Sequence, residues 1–238
     1  MKYSLIRFEV LPSTNDYVKE HYQELPNYSF CYTTNQTKGR GRLGRNWISE
    51  KDKNIAVTGL IKDLKNKEDL STITLLTATS LHKCLSKYIP NIKIKWPNDL
   101  LIDNKKISGI LVEGISNDDI TNLIIGIGIN VNQTDFKELN DITTSLKKET
   151  LVNYDLDILL KELLDILYLD IINYLNHDKS YLSYLKNHLY GKSEKVSYYK
   201  NDKICEGTII EIDDDGKLMI ENNGIIEHLN SGEIKIIR

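Results

Sequence analysis

Apolar and polar residues alternate over residues 3–9 (YSLIRFE), a period of two that predicts a first strand, and Leu11-Pro12 ends it. Ser13 and Thr14 open a helix predicted to run to about Leu25, with Asp16 in its first turn and Pro26 behind it. Tyr28 to Thr33 and Asn54 to Ile61 read as strands on either side of a glycine-rich polar stretch. Glu68 to Tyr88 repeats Leu70, Ile73, Leu76, Leu81 and Leu85 at helical spacing, and Pro90 closes that helix. From Ile92 to Glu113, β-branched and apolar residues flank Asp103-Asn104, which predicts a hairpin. Ile120 to Val131 is too apolar for anything but a central strand, and Gly126 and Gly128 leave room there for a flat group against the sheet. Residues 134–153 are polar and predicted irregular. Asp155 to Asn176 has the strongest helical period in the chain, and Asp178 to Leu189 follows as a shorter helix.

At Gly191 the character changes. Short alternating runs from Lys195 onward are separated by turn signals at Asn201-Asp202, Asp213 to Gly216, Asn222 to Gly224 and Ser231-Gly232. The expectation is a five-stranded β module of about fifty residues that closes into a small barrel. The chain therefore divides into residues 1–190 and 191–238, with an α+β first unit.

Composition narrows the function. Of 238 residues, 27% are charged and the formal net charge is −3, so any basic stretch is a local concentration on a slightly acidic body, unlike a general nucleic-acid binder. The N-terminal segment is interrupted by Arg7 and Glu9, and no stretch approaches eighteen uncharged apolar residues, which predicts a cytoplasmic protein without a membrane span. Cys31, Cys84 and Cys205 lack CxxC spacing and the histidines lack HxxxH pairing, so no protein-built metal site is expected and a metal would arrive with the substrate.

One stretch departs from that ordinary background. Thr33 to Trp47 (TTNQTKGRGRLGRNW) sets Lys38, Arg40, Arg42 and Arg45 among Gly39, Gly41 and Gly44, with no acidic residue. Glycines permit positive φ and close backbone approach, and guanidinium forks match carboxylate and phosphate oxygens. Like charges without a counter-ion predict a loop that is mobile until an anionic ligand orders it. The stretch by itself is equally a solvated basic loop or a nucleic-acid contact. Ser13, Thr14 and Asn15 lie at a predicted helix N-terminus, suited to a small polar ligand or to plain capping. Trp96 and Pro97 read as core.

GRGRLGRNW at Gly39 to Trp47, KWPNDLL at Lys95 to Leu101, KISGILVEG at Lys106 to Gly114 and GIGINVN at Gly126 to Asn132 resemble the biotin protein ligases, in family order, with a weaker resemblance in the terminal β module. The resemblance implies a mixed β-sheet flanked by helices, followed by a small barrel of the Src-homology-3 kind. It implies activation of biotin by MgATP to biotinyl-5′-adenylate, then transfer to a lysine of a biotin carboxyl carrier protein. Carried over by position, Ser13, Thr14, Asn15, Gln36, Gly41 and Gly109 belong to the biotin site, and Arg40, Arg42 and Lys106 to its carboxylate and the α-phosphate. Trp47 and Asn130 match the adenine contacts, Arg45 joins the ATP-facing cations, and Asp99 is placed near the acceptor amine or else serves as a turn acceptor. Only twelve residues precede Ser13, too few for the DNA-binding domain of some relatives, so a repressor role is not expected. Arg238 is out of register with the family's terminal basic residue and carries no role. Monomer and homodimer both stay open. The rivals are a lipoate protein ligase, whose glycine-arginine motif differs, and a non-catalytic binding module.

Overall fold

The computed structural model describes residues 2–64, 69–117, 120–200, 203–231 and 234–236. Glu68, Asn201-Asp202, Gly232 and Arg238, and the packing of Leu70, lie outside the described residues and side chains. In chain order the elements are β1 (Ser4–Phe8), α1 (Thr14–His21), β2 (Ser29–Thr33), β3 (Gly39–Arg40), β4 (Asn46–Trp47), β5 (Ile55–Leu64), α2 (Asp69–Leu85), β6 (Lys93–Lys95), β7 (Asp99–Ile102), β8 (Lys105–Asn117) and β9 (Ile120–Ile129). They continue with α3 (Leu146–Thr150), α4 (Leu156–Leu175), α5 (Ser180–His188), β10 (Lys195–Lys200), β11 (Lys203–Ile212), β12 (Leu218–Asn222), β13 (Ile225–Leu229) and β14 (Ile234–Ile236).

A seven-stranded sheet runs in the order β1-β2-β5-β9-β8-β7-β6. It is mixed, because β1 pairs parallel with β2 while the remaining neighbours are antiparallel. β9 is its middle strand, in keeping with the apolar run. The strand period of two sorts the side chains. On β9, Leu123, Ile125, Ile127 and Ile129 enter the main core that α2, α4 and α5 complete, whereas Ile124 joins Val18, Leu25, Cys31 and Leu60 in a smaller cluster under α1. Helix α1 therefore covers one end of the second face, and the same face continues past it as the floor of a cleft.

Local chemistry explains the element boundaries. Ser13 Oγ accepts the Asp16 amide at 3.2 Å and starts α1, and Asp155 Oδ1 accepts the amides of Asp157 and Ile158 at 2.9 and 3.0 Å and starts α4. The β7–β8 turn puts Asp103 and Asn104 at φ 44° and 68°, the left-handed pair a two-residue hairpin needs. The Ile92–Glu113 stretch holds more than that hairpin, since β6 precedes β7 with a cis Trp96-Pro97 peptide between them. The polar segment 134–153 is also less irregular than its composition suggests. Ile142 and Thr144 exchange backbone hydrogen bonds with Lys106 at 2.8 and 2.9 Å, and Ser145 caps α3.

The C-terminal strands form a five-stranded antiparallel sheet of the small-barrel kind, in the order β13-β12-β11-β10-β14. Trp96, 5% exposed, donates its indole N–H to the Gly216 carbonyl at 3.1 Å, so the tryptophan read as core also fastens this module to the main sheet.

Candidate active site

The face that α1 leaves uncovered forms an open cleft lined by polar and basic side chains. Ten of the residues singled out by sequence line it: Ser13, Thr14, Asn15, Gln36, Arg40, Gly41, Arg42, Trp47, Lys106 and Gly109. One end is neutral and polar. The backbone N–H of Thr14 donates to Gln36 Oε1 at 2.8 Å and its hydroxyl lies 3.1 Å from the same oxygen, while Thr58 on β5 reaches Thr14 Oγ1 at 2.8 Å and Asn15 Oδ1 at 2.7 Å. Thr58 is fully buried and went unnoticed in the sequence, although its parity with Leu60 places it on the cleft face.

The other end is cationic. Lys106 Nζ lies 2.6 Å from Asp99 Oδ1 and 5.6 Å from the centre of the Trp47 ring. It reaches the cleft through a β-bulge. The β7–β8 register shifts between Leu100 and Leu101, so that Leu100 faces Ser108 and Leu101 faces Lys106. Residues three apart on a regular strand point to opposite faces; the extra residue lets Lys106 and Gly109 share one. A Cβ on Gly109 would meet Lys106 Nζ at 2.7 Å, so this glycine makes room for the lysine.

The glycine-arginine stretch is not the unpaired loop its charge suggests. Gly39-Arg40 and Asn46-Trp47 pair as a short antiparallel ribbon, and Gly41 N donates to Arg45 O at 2.7 Å. Arg40 pairs with both oxygens of Asp16 and, at 3.2 Å, with Glu113 Oε2. Arg42 donates to Asn98 Oδ1 at 2.9 Å and to the Ser231 carbonyl of the C-terminal module at 3.0 Å. Burial lowers the Arg42 pKa from its ordinary value, with Asp99 opposing that shift, yet a guanidinium stays charged. The repulsion is thus offset by counter-ions and carbonyls from α1, β8, the 96–98 turn and the terminal module, none of them adjacent in sequence. Positive φ is also used less than expected: of the three loop glycines only Gly44, at 71°, adopts it, together with Leu43 at 56°.

The room left by the β9 glycines goes to the protein's own flat groups. A Cβ on Gly126 would meet Asn15 Oδ1 at 2.0 Å, and one on Gly128 would meet the Trp47 ring at 2.5 Å. Three predicted residues lie outside the cleft lining. Asp99 pairs with Lys106; Arg45 is exposed and turned to solvent; Asn130 is buried, donating its amide to the Thr144 carbonyl at 3.1 Å while its Oδ1 has no partner among the described residues. A buried amide oxygen without a donor is costly, and an exocyclic amine such as that of adenine would satisfy it. Among the described residues, no group of three or more His, Cys, Asp or Glu side chains converges to hold a metal ion.

A mixed sheet whose open face joins a neutral hydrogen-bonding end to a lysine-arginine end defines a pocket for a polar molecule that carries, or meets, an anion. The chain belongs to the biotin/lipoate A/B protein ligase family, whose model matches residues 7–130, and the biotin protein ligase C-terminal domain matches residues 195–236. It is 30% identical over 239 residues to the bifunctional ligase/repressor BirA of Bacillus subtilis, covering 98% of this chain and 74% of that protein. The corresponding BirA of Escherichia coli is 29% identical over 238 residues, covering 95% and 72%. The solved biotin protein ligase of Aquifex aeolicus in complex with biotin and ATP superimposes with a TM-score of 0.87 at 28% identity over 99% of both chains.

Proposed function

We propose that this protein activates biotin with ATP to biotinyl-5′-adenylate and transfers the biotinyl group to a lysine of a biotin carboxyl carrier domain. The observation that carries the reading is the joining, in one cleft, of the Thr14–Gln36 end with the Lys106 end, where Lys106 is paired with Asp99. In the first step a carboxylate oxygen attacks the α-phosphorus of ATP and pyrophosphate leaves. Both reactants are anions, so fixed cations lower the barrier most directly. Lys106 is held by its charge pair with Asp99, and its ammonium donors remain for the biotin carboxylate and the α-phosphate. Arg42 adds charge at the same end, and Mg²⁺ enters on the phosphates of ATP.

Thr14, Asn15 and Gln36 hold the ureido ring, with Ser13, Gly41 and Gly109 shaping the surrounding wall. Trp47 presents its ring face at the cleft and Asn130 its amide oxygen to adenine. In the second step the acceptor amine attacks the acyl carbon and AMP leaves. That amine must first lose a proton, and we assign Asp99 as the carboxylate that accepts it. Residues 1–190 carry this chemistry and residues 191–238 close one side of it through Ser231. No described helix is long and apolar enough to cross a membrane, and the free cysteines Cys31, Cys84 and Cys205 suit the reducing cytoplasm we assign to it.

The test is biotin-dependent exchange of labelled pyrophosphate into ATP. Exchange driven by lipoate instead of biotin, or by neither acid, overturns the proposal.

A further inference from the structure

Glu113 lies on β8 beyond the cleft lining, on the same face as Gly109 and Leu111, and its side chain is 20% exposed. One of its oxygens serves two elements at once. Oε2 accepts from Asn15 Nδ2 at 3.1 Å and from Arg40 Nη2 at 3.2 Å, while Oε1 faces Lys19 Nζ at 3.4 Å. Asn15 is the floor of the polar end: its other amide hydrogen points to the Leu111 carbonyl at 3.4 Å and its Oδ1 takes the Thr58 hydroxyl at 2.7 Å. Arg40 belongs to the ribbon of the glycine-arginine loop, and its Nε and Nη2 also donate to Asp16 in the first turn of α1.

We propose that Glu113 is a positioning residue that couples the polar floor of the cleft to closure of the glycine-arginine loop through its shared oxygen, with Arg40 acting as the clasp. The carboxylate fixes which way the Asn15 amide faces, because an acceptor at Nδ2 leaves Oδ1 turned to Thr58. It also supplies the counter-charge that lets Arg40 stay against α1 while its backbone pairs with Asn46. The two contacts share one atom, so a ligand group that draws on the Asn15 amide alters the electron density available to Arg40, and loop closure responds to the occupant of the polar end. Asp16 is a partner of the clasp alone. Its pair with Arg40 is about as exposed as ordinary surface ion pairs, at 40% and 41%, so the less exposed Glu113 carries more of the hold.

The inference rests on the biotin reading only where it concerns affinity, and the experiment separates the two. Amide hydrogen exchange across residues 39–47 is measured on the full chain without ligand, for the wild type, Glu113→Gln and Asp16→Asn. Glu113→Gln keeps an acceptor for Asn15 but removes the negative charge facing Arg40, and loop amides should exchange about tenfold faster. Asp16→Asn should raise the rate about threefold. In biotin-dependent pyrophosphate exchange, Glu113→Ala, which loses both contacts, should raise the KM for biotin about tenfold with a smaller change in kcat, and Glu113→Gln should recover part of that loss. Raising salt on the wild-type protein should speed loop exchange in the same direction, which keeps the test valid if a Glu113 variant fails to fold. Loop exchange unchanged in Glu113→Gln and indifferent to salt overturns the clasp. Equal KM values for Glu113→Ala and Asp16→Asn overturn the coupling to the polar floor. Absence of any biotin-dependent exchange in the wild type would instead strike the functional reading and leave the loop result standing.

Discussion

Lys106 Nζ sits 2.6 Å from the carboxylate of Asp99, with side-chain exposures of 28% and 20%, so the two groups most directly tied to the proposed chemistry hold each other in place. Their Cα positions come from different strands, β8 and β7, and the bulge at residue 107 brings them together. A partly buried pair of this kind does two things: it aims the ammonium, and it keeps a carboxylate beside the point where an amine must be deprotonated.

Replacing the lysine tests the first role. Lys106→Ala should lower the rate of adenylate formation by about a hundredfold, on the order of 3 kcal/mol, with a smaller effect on biotin affinity. Single-turnover formation of the adenylate is the measurement, and a near wild-type rate would reduce Lys106 to a surface charge beside a hairpin.

Asp99→Asn separates the second. Adenylate should still form, while transfer from preformed adenylate to a carrier domain falls by about a hundredfold. If transfer persists and only adenylation fails, the carboxylate serves Lys106 alone.

The fit of Trp47 on β9 is steric and has its own test. A Cβ on Gly128 would lie 2.5 Å from the indole, so Gly128→Ala must displace the ring at a cost of about 1–3 kcal/mol and raise the KM for ATP. Combined with Trp47→Ala, the glycine substitution should add little further loss. Full additivity in that double-mutant cycle would disprove the contact as the cause.

Arg42→Gly removes the bonds to Asn98 and to the Ser231 carbonyl, the one described side-chain link from the loop to the terminal module. Adenylation should slow, and adenylate should escape into solution, where unrelated lysines become biotinylated. Mass spectrometry of bystander protein in the reaction reads this directly; strict retention of adenylate would count against a covering role for the loop.

Away from the cleft, His82 sets a pH dependence. It is 1% exposed, with Nε2 3.0 Å from the Ile92 carbonyl and Nδ1 3.0 Å from the Tyr184 hydroxyl. A carbonyl only accepts, so Nε2 carries the hydrogen and Nδ1 receives one from Tyr184, a fully satisfied neutral ring. Burial lowers its pKa from 6.5 to about 4, and the nearby His188 and Lys93 push the same way. The unfolded chain therefore binds the proton more readily. This contribution is complete above the unfolded pKa of 6.5 and is lost as pH falls toward 4, by roughly 3 kcal/mol in all. Denaturant unfolding at intervals between pH 7 and 4 should show that slope in the wild type and a shallower one in His82→Gln.

Much of this protein was written locally. The helix caps at Ser13 and Asp155, the left-handed Asp103-Asn104 turn and the central β9 all follow from period, capping chemistry and turn residues acting over a few positions. The candidate site residues came from the motif resemblance, because a dense run of cations and glycines by itself suits a solvated loop or a nucleic-acid contact equally well. Tertiary structure decided what those residues touch. Arg40 finds Asp16 and Glu113, Arg42 finds Asn98 and Ser231, and the β9 glycines receive Asn15 and Trp47, all across chain separations that no local rule spans. The bulge shows the limit most plainly: a regular strand would send Lys106 and Gly109 to opposite faces, and only pairing against β7 inserts the residue that reunites them. Periodicity is a property of one segment, whereas register and counter-ions exist only between segments, and the proposed chemistry depends on the second kind.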